Sequence, residues 1–199
     1  GTFVRNHAQA ILACDFLVVV TARFRLLYVF VIMEVGTRRI VHCNVTAHPT
    51  ADWTLQQFRA AISGEQAQRF LIHDRDSIYT ADLDAALRAM DLTIMKTPFR
   101  APQANAFCER LIGSLRRECL DFLIPFNEGH LRWIVKAWVA HYNQGRPHSS
   151  LGPGLPEPGR GFPMAKGPHR HSLAPNHTVI SRAILGGLHH EYRLERIAA

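Results

Sequence analysis

The chain has 199 residues, 47% of them hydrophobic, enough to bury the core of one α/β domain with a small appendage. Its net charge of +7 is compatible with a polyanionic partner. The longest charge-free apolar stretch, Leu26–Met33, falls far short of the roughly 18 residues that a membrane span needs, which leaves no membrane partner.

The elements follow in chain order. Residues 11–21, 25–35 and 39–46 are β-branched or aromatic runs separated by short breaks, which predicts a three-strand antiparallel meander. Thr50 is placed to N-cap a helix carrying Trp53, Leu55, Phe58 and Ile62 at helical intervals. Residues 69–73 read as a fourth strand, 80–91 as a helix with Leu83, Leu87 and Met90 on one side, and 92–97 as a fifth strand. After Pro98 and Pro102, a stripe of Cys108, Leu111, Leu115 and Cys119 predicts a helix from Asn105 to about Asp121. A further helix is expected from about Glu128 to Tyr142, burying Leu131, Ile134, Val135, Trp138 and Val139, with Trp133 and Trp138 both taken as core. Beyond residue 144, seven of the eleven prolines and six histidines crowd the last 55 residues, which reads as an extended, partly disordered arm. His169, His171 and His177 are spaced too irregularly for a metal cluster. The four cysteines, Cys14, Cys43, Cys108 and Cys119, have no Cys-x-x-Cys spacing and are expected to be reduced core residues. The opening Gly1-Thr2-Phe3 has neither an initiator methionine nor a signal pattern, so the chain is expected to be a piece that lacks an upstream segment and is not exported. The divisions expected are a linker over 1–10, a catalytic core over 11–150 and the arm over 151–199.

Three carboxylates stand out: Asp15 inside the apolar run 11–20, Asp74 closing the run 69–73, and Glu109 early in its helix. A carboxylate within or at the end of an apolar strand is costly to desolvate unless something pairs with it, and a bound divalent cation solves that problem. The element order β-β-β-α-β-α-β fits a ribonuclease H-like mixed five-stranded sheet flanked by helices, followed by the Pro/Gly/His-rich C-terminal arm. On that scaffold Asp15 lies on the central strand, Asp74 at the carboxyl end of its neighbour, and Glu109 arrives from a helix packed over the sheet. Hard oxygen ligands suit Mg²⁺ or Mn²⁺, and two ions would clamp the attacking and leaving oxygens of a phosphoryl displacement.

The series Ala13-Cys14-Asp15-Phe16, His73-Asp74-Arg75-Asp76-Ser77-Ile78-Tyr79, the segment from Pro98 to Arg110, and Tyr142 to Leu151 with its Arg146-Pro147-His148 resembles the integrase catalytic core of bacterial insertion-sequence transposases. Retroviral integrases belong to the same superfamily. The resemblance spans about residues 8–156 and implies DDE strand-transfer chemistry, with Asp15, Asp74 and Glu109 as the first, second and third acids. Asp74 and Glu109 have 34 residues between them, close to the separation customary in that family. Asp76 stands where the family often has glycine and is the competing ligand; Ala104 also departs from the pattern. The resemblance further implies hydrolysis of one strand at an element end, then attack of the freed 3′-hydroxyl on target DNA, within a homo-oligomeric synapse in the bacterial cytoplasm at the nucleoid. The helix-turn-helix that relatives carry upstream is absent from this chain, so its DNA contacts are expected to read the backbone.

Five cations, Lys96, Arg100, Arg110, Arg116 and Arg117, surround the single acid Glu109 between residues 96 and 117, and form a basic flank suited to phosphates. Asn105, one turn before Glu109, caps the helix or positions DNA, while Arg146 and His148 are expected to brace the last helix. Two other functions compete: a ribonuclease H-like nuclease that cuts without joining, and a non-catalytic DNA-binding remnant of a decayed mobile element.

Overall fold

A computed structural model of the protein describes residues 6–62, 68–96, 106–152, 154–158 and 176–197. Three strands open it, β1 (Ile11–Val20), β2 (Leu26–Glu34) and β3 (Ile40–Thr46), paired antiparallel as a meander. Helix α1 (Ala51–Ala61) begins where the Thr50 hydroxyl accepts the Trp53 N–H at 3.1 Å, as the sequence predicts. Strand β4 (Phe70–His73) then returns beside β1 in parallel. Helix α2 (Ala81–Arg88), capped in the same way by Thr80, leads to β5 (Thr93–Lys96), parallel to β4. The sheet order is β3-β2-β1-β4-β5, so β1 is its central strand. The mixed five-stranded sheet is the one expected from the element order.

Side chains alternate across a strand, and in β1 that alternation separates the core from the acid. Leu12 and Cys14 join Phe30, Ile32, Phe58, Leu71, Leu83 and Leu87 in one buried cluster that α1 and α2 cover. Phe30 and Phe58 meet edge-on at 5.5 Å between ring centroids, and burying each contributes roughly 1.5–3 kcal/mol. Asp15, one residue on from Cys14, takes the opposite face. Helix α3 (Ala106–Leu115) packs against β1, with Cys108, Leu111 and Leu115 buried. Its last turn widens into a π-helical turn over Arg116–Leu120, and Asp121 N donates to the Arg116 carbonyl at 2.9 Å. Cys119 remains buried through this change, which completes the predicted stripe.

Helix α4 (Glu128–Gln144) buries Leu131, Ile134, Val135 and Trp138. Trp133 is a correction: its side chain is 59% exposed, on the solvent side of that helix rather than in the core. His130 lies over it at 6.1 Å between ring centroids.

The chain divides into two compact units, residues 1–136 and 137–199. In the second, the expected arm contains a regular hairpin: β6 (His177–Ile184) pairs antiparallel with β7 (His189–Arg196). Gly186 and Gly187 turn it with positive φ, where glycine has no Cβ penalty. The proline and histidine content of the arm hid this short pair of strands. Arg146 and His148 do brace the helix end: His148 is buried, its Nε2 stands 3.3 Å from the Tyr142 carbonyl, and the Arg146 guanidinium lies over the Tyr142 ring. His169 and His171 lie outside the described residues.

Candidate active site

The parallel register of β1 and β4 runs Ile11↔Phe70, Leu12↔Leu71 and Ala13↔Ile72. Continued two residues further, that register brings Asp15 level with Asp74, the first residue after β4. Both are half-buried. Asp15 Oδ1 accepts the N–H of Phe16 at 2.8 Å, and Asp74 Oδ1 accepts the N–H of Asp76 at 3.0 Å. Glu109 projects from the first turns of α3 and is exposed.

The electrostatics place all three acids in one neighbourhood. Asp15 is pushed up from 3.8 to about 7, first by burial, then by the charges of Asp74, Glu109 and Asp76, with the Phe16 N–H pulling the other way. A carboxyl so placed gains from any cation that reaches it. The donor set is hard oxygen, which fits Mg²⁺ or Mn²⁺ rather than a thiolate-seeking metal. Among the described residues, no group of three or more His, Cys, Asp or Glu side chains is gathered tightly enough to hold a metal ion as it stands.

Asp76 occupies a different role in the turn. Its Oδ1 accepts from the Ile78 N–H at 2.9 Å and lies 3.3 Å from the Ser77 hydroxyl, so its carboxylate ties the loop after β4. The level register favours Asp74 as the partner of Asp15. Asp76 contributes its charge to the same field.

The basic flank is more varied than its sequence suggests. Lys96 Nζ lies 2.6 Å from Oδ2 of the buried Asp84, so a phosphate would have to compete with that ion pair. Arg116 Nη2 donates to the Val18 carbonyl at 3.2 Å. The Arg117 guanidinium folds back over Gly113, with Nη1 2.9 Å from where a Cβ would stand. Arg110 is exposed beside Glu109. Arg100 and Asn105 lie outside the described residues.

Around the acids, sequence reasoning missed a set of buried partners. His73, Tyr79, Asp84 and Cys14 are all buried polar or polarizable groups next to the site. A histidine ending an apolar run and an acid in the first turn of a helix were the only signals. The four cysteines carry free thiols, and burial pushes those of Cys14 and Cys108 upward, as inert core thiols require.

Residues 90–156 match the integrase core domain family, a stretch that contains Glu109 but neither aspartate. The chain is 27% identical over 116 residues to the insertion element IS136 uncharacterized protein Atu4601 of Agrobacterium fabrum, covering 56% of this chain and 59% of that protein. It is 35% identical over 69 residues to the insertion element IS407 uncharacterized 31.7 kDa protein of Burkholderia multivorans, covering 35% and 25% respectively. Among solved structures, the catalytic core domain of BIV integrase superposes with a TM-score of 0.57 at 14% identity, over 74% of this chain and 91% of that one. The Mos1 transposase catalytic domain, solved with raltegravir and Mg, gives a TM-score of 0.58 at 12% identity, over 70% and 76%. The resemblance to insertion-sequence integrase cores holds. The fold is that of the BIV integrase and Mos1 transposase catalytic domains, the expected ribonuclease H-like fold, while the chain spans about three-fifths of the length of its IS136 relative. Among the described residues no helix is long and apolar enough to cross a membrane.

Proposed function

We propose that this chain is the catalytic core of a transposase that cleaves DNA at an element's 3′-end and transfers that end to target DNA. The observation that carries the reading is the register of β1 and β4, which, continued past the end of β4, brings Asp15 level with Asp74, with Glu109 near enough to raise the first of them. Asp15, Asp74 and Glu109 would hold divalent cations, Mg²⁺ or Mn²⁺, and these would supply charge stabilisation at phosphorus and at the attacking and leaving oxygens.

In the cleavage step a water oxygen bonds to phosphorus and the bond from phosphorus to the 3′-oxygen breaks. That leaves a 3′-hydroxyl and a 5′-phosphate. In the joining step the 3′-hydroxyl oxygen bonds to a target phosphorus and displaces that strand's own 3′-oxygen. No residue of the chain is covalently modified. The chain's part is positioning: β1 and the end of β4 would fix two acids, α3 would present the third, and Arg110 on α3 and Arg117 in the π-helical turn that follows it would serve the phosphates. DNA element ends and target DNA are the partners, a homo-oligomeric synapse is the working form, and the bacterial cytoplasm at the nucleoid is its place.

A strand-transfer assay with a labelled 3′-recessed end in Mn²⁺ tests this reading. Joined product supports it. Cleavage without joining points to the nuclease, and binding alone to the decayed remnant.

A further inference from the structure

We propose that His73 is a positioning residue that sets the backbone of Asp74 from beneath the site, as part of a buried strut running Cys14, Tyr79, His73, Asp84, Lys96. The proposal rests on the reading of Asp74 as a metal-holding acid. His73 is fully buried as the last residue of β4, and Asp84 on α2 is 2% exposed. Such polar groups are costly inside a core unless each has a partner. Here every one does.

His73 Nδ1 lies 2.6 Å from the carbonyl oxygen of Asp74. A carbonyl only accepts, so Nδ1–H donates, and this short bond fixes the peptide immediately after Asp74, where the strand gives way to the turn. On the other side of the ring, Nε2 lies 3.1 Å from Asp84 Oδ1. The second oxygen of Asp84 lies 2.6 Å from Lys96 Nζ, on the β5 residue paired in register with His73. The ring therefore cannot rotate without breaking a bond at each nitrogen. Tyr79 closes the remaining face, stacked on His73 at 4.2 Å between centroids with 21° between planes. Its hydroxyl meets Cys14 Sγ at 3.4 Å. Cys14 precedes Asp15, and His73 precedes Asp74. One buried tyrosine thus touches the neighbour of each acid, which ties the spacing of the pair to a rigid internal contact rather than to the exposed loop. Outer partners of this kind orient the groups that hold a metal, and their loss typically lowers metal affinity about 10–100-fold.

Two substitutions separate positioning from mere packing. In His73→Asn the amide nitrogen stands near the place of Nδ1 and keeps the bond to the Asp74 carbonyl. In His73→Gln the longer side chain reaches toward Asp84 and gives that bond up. Both leave space in the core, so both should lower the melting temperature. Calorimetry with Mn²⁺ on the full chain is expected to show His73→Gln binding about tenfold more weakly than the parent, with His73→Asn recovering most of that loss. Equal affinities in the two variants overturn the positioning role. The Asp15→Asn, Asp74→Asn double variant tests the underlying site: if it binds Mn²⁺ as the parent does, the metal reading fails, whatever the His73 variants do. A parent that binds no Mn²⁺ overturns both. Should either His73 variant fail to fold, NMR of the parent supplies the answer, since the His73 Nδ1–H resonance should shift saturably with Mg²⁺ in the parent and stay still in Asp74→Asn. A resonance indifferent to Mg²⁺ in the parent sinks the proposal.

Discussion

Asp15 on β1 and Asp74, the first residue after the parallel neighbour β4, fall level when the register of the two strands is continued, and the charge of the second helps hold the first protonated up to about pH 7. Burial is the larger cause, with Glu109 and Asp76 adding to it and the Phe16 N–H opposing. Such a site is a local instability built into the centre of a sheet.

That instability has a pH dependence whose sign is fixed. The folded-state value of Asp15 lies above its unfolded value of 3.8, so the contribution to stability is fully present below that pH and is lost as pH rises through about 7. The loss is at most on the order of 4 kcal/mol. In metal-free buffer the melting temperature should therefore fall by roughly 5–10 °C between pH 5 and 8. Asp15→Asn should flatten the fall, and Mn²⁺ should restore stability to the parent at pH 8. Scanning fluorimetry of both proteins checks this; identical pH profiles would show that Asp15 titrates normally.

Asp74 and Asp76 differ in what their carboxylates already do. Asp76 ties the Ile78 N–H in the turn, whereas Asp74 is level with Asp15. Asp74→Asn should weaken Mn²⁺ binding at least tenfold, and Asp76→Asn should retain most of it. A larger loss in Asp76→Asn, measured by the same calorimetry, would reverse the assignment.

The cations around Glu109 should also separate. Arg110→Ala and Arg117→Ala should each lower the log–log salt slope of DNA binding by about 0.9, the signature of one lost phosphate contact. Random and element-end duplexes should bind alike. Arg116→Ala should change the slope less, because its guanidinium already serves the Val18 carbonyl. Lys96→Ala should instead cost about 3 kcal/mol of stability, because the buried Asp84 loses its 2.6 Å ion pair and keeps the Arg88 guanidinium at 3.9 Å. A full unit of slope lost at Lys96, with melting unchanged, would return that residue to the DNA surface.

Much of this was legible beforehand because it depends on local pattern. Thr50 and the stripe from Cys108 to Cys119 announce a cap and a buried helix face, and the apolar runs around Asp15 and before Asp74 announce adjacent strands. Trp133 misled because a helical wheel gives an aromatic residue at the edge of the apolar stripe no decisive side. The hairpin over 177–196 was hidden for a related reason, since most of its strand residues are exposed and no strict polar–apolar alternation marks the strands. The Tyr79–His73–Asp84–Lys96 chain lay beyond reach altogether: it joins β4, α2 and β5 through side chains, and no spacing in one segment reports a contact among three.

Glu109 offers the sharpest division between chemistry and binding. It is exposed, while Cys108, Leu111 and Leu115 carry the packing of its helix, so Glu109→Gln keeps the side chain's size and leaves the fold intact. Removing its charge also relieves Asp15, one of whose upward pushes comes from Glu109, so the variant should melt slightly higher than the parent without metal. DNA affinity should stay within a few-fold, since the cations proposed to meet phosphates are untouched. Joining of 3′-ends under single-turnover conditions should nevertheless slow by roughly three orders of magnitude or more, because one of the three acids proposed to hold the reacting centre is gone. Parental joining by purified Glu109→Gln would remove it from the catalytic set and bring the decayed remnant forward as the better account of this chain.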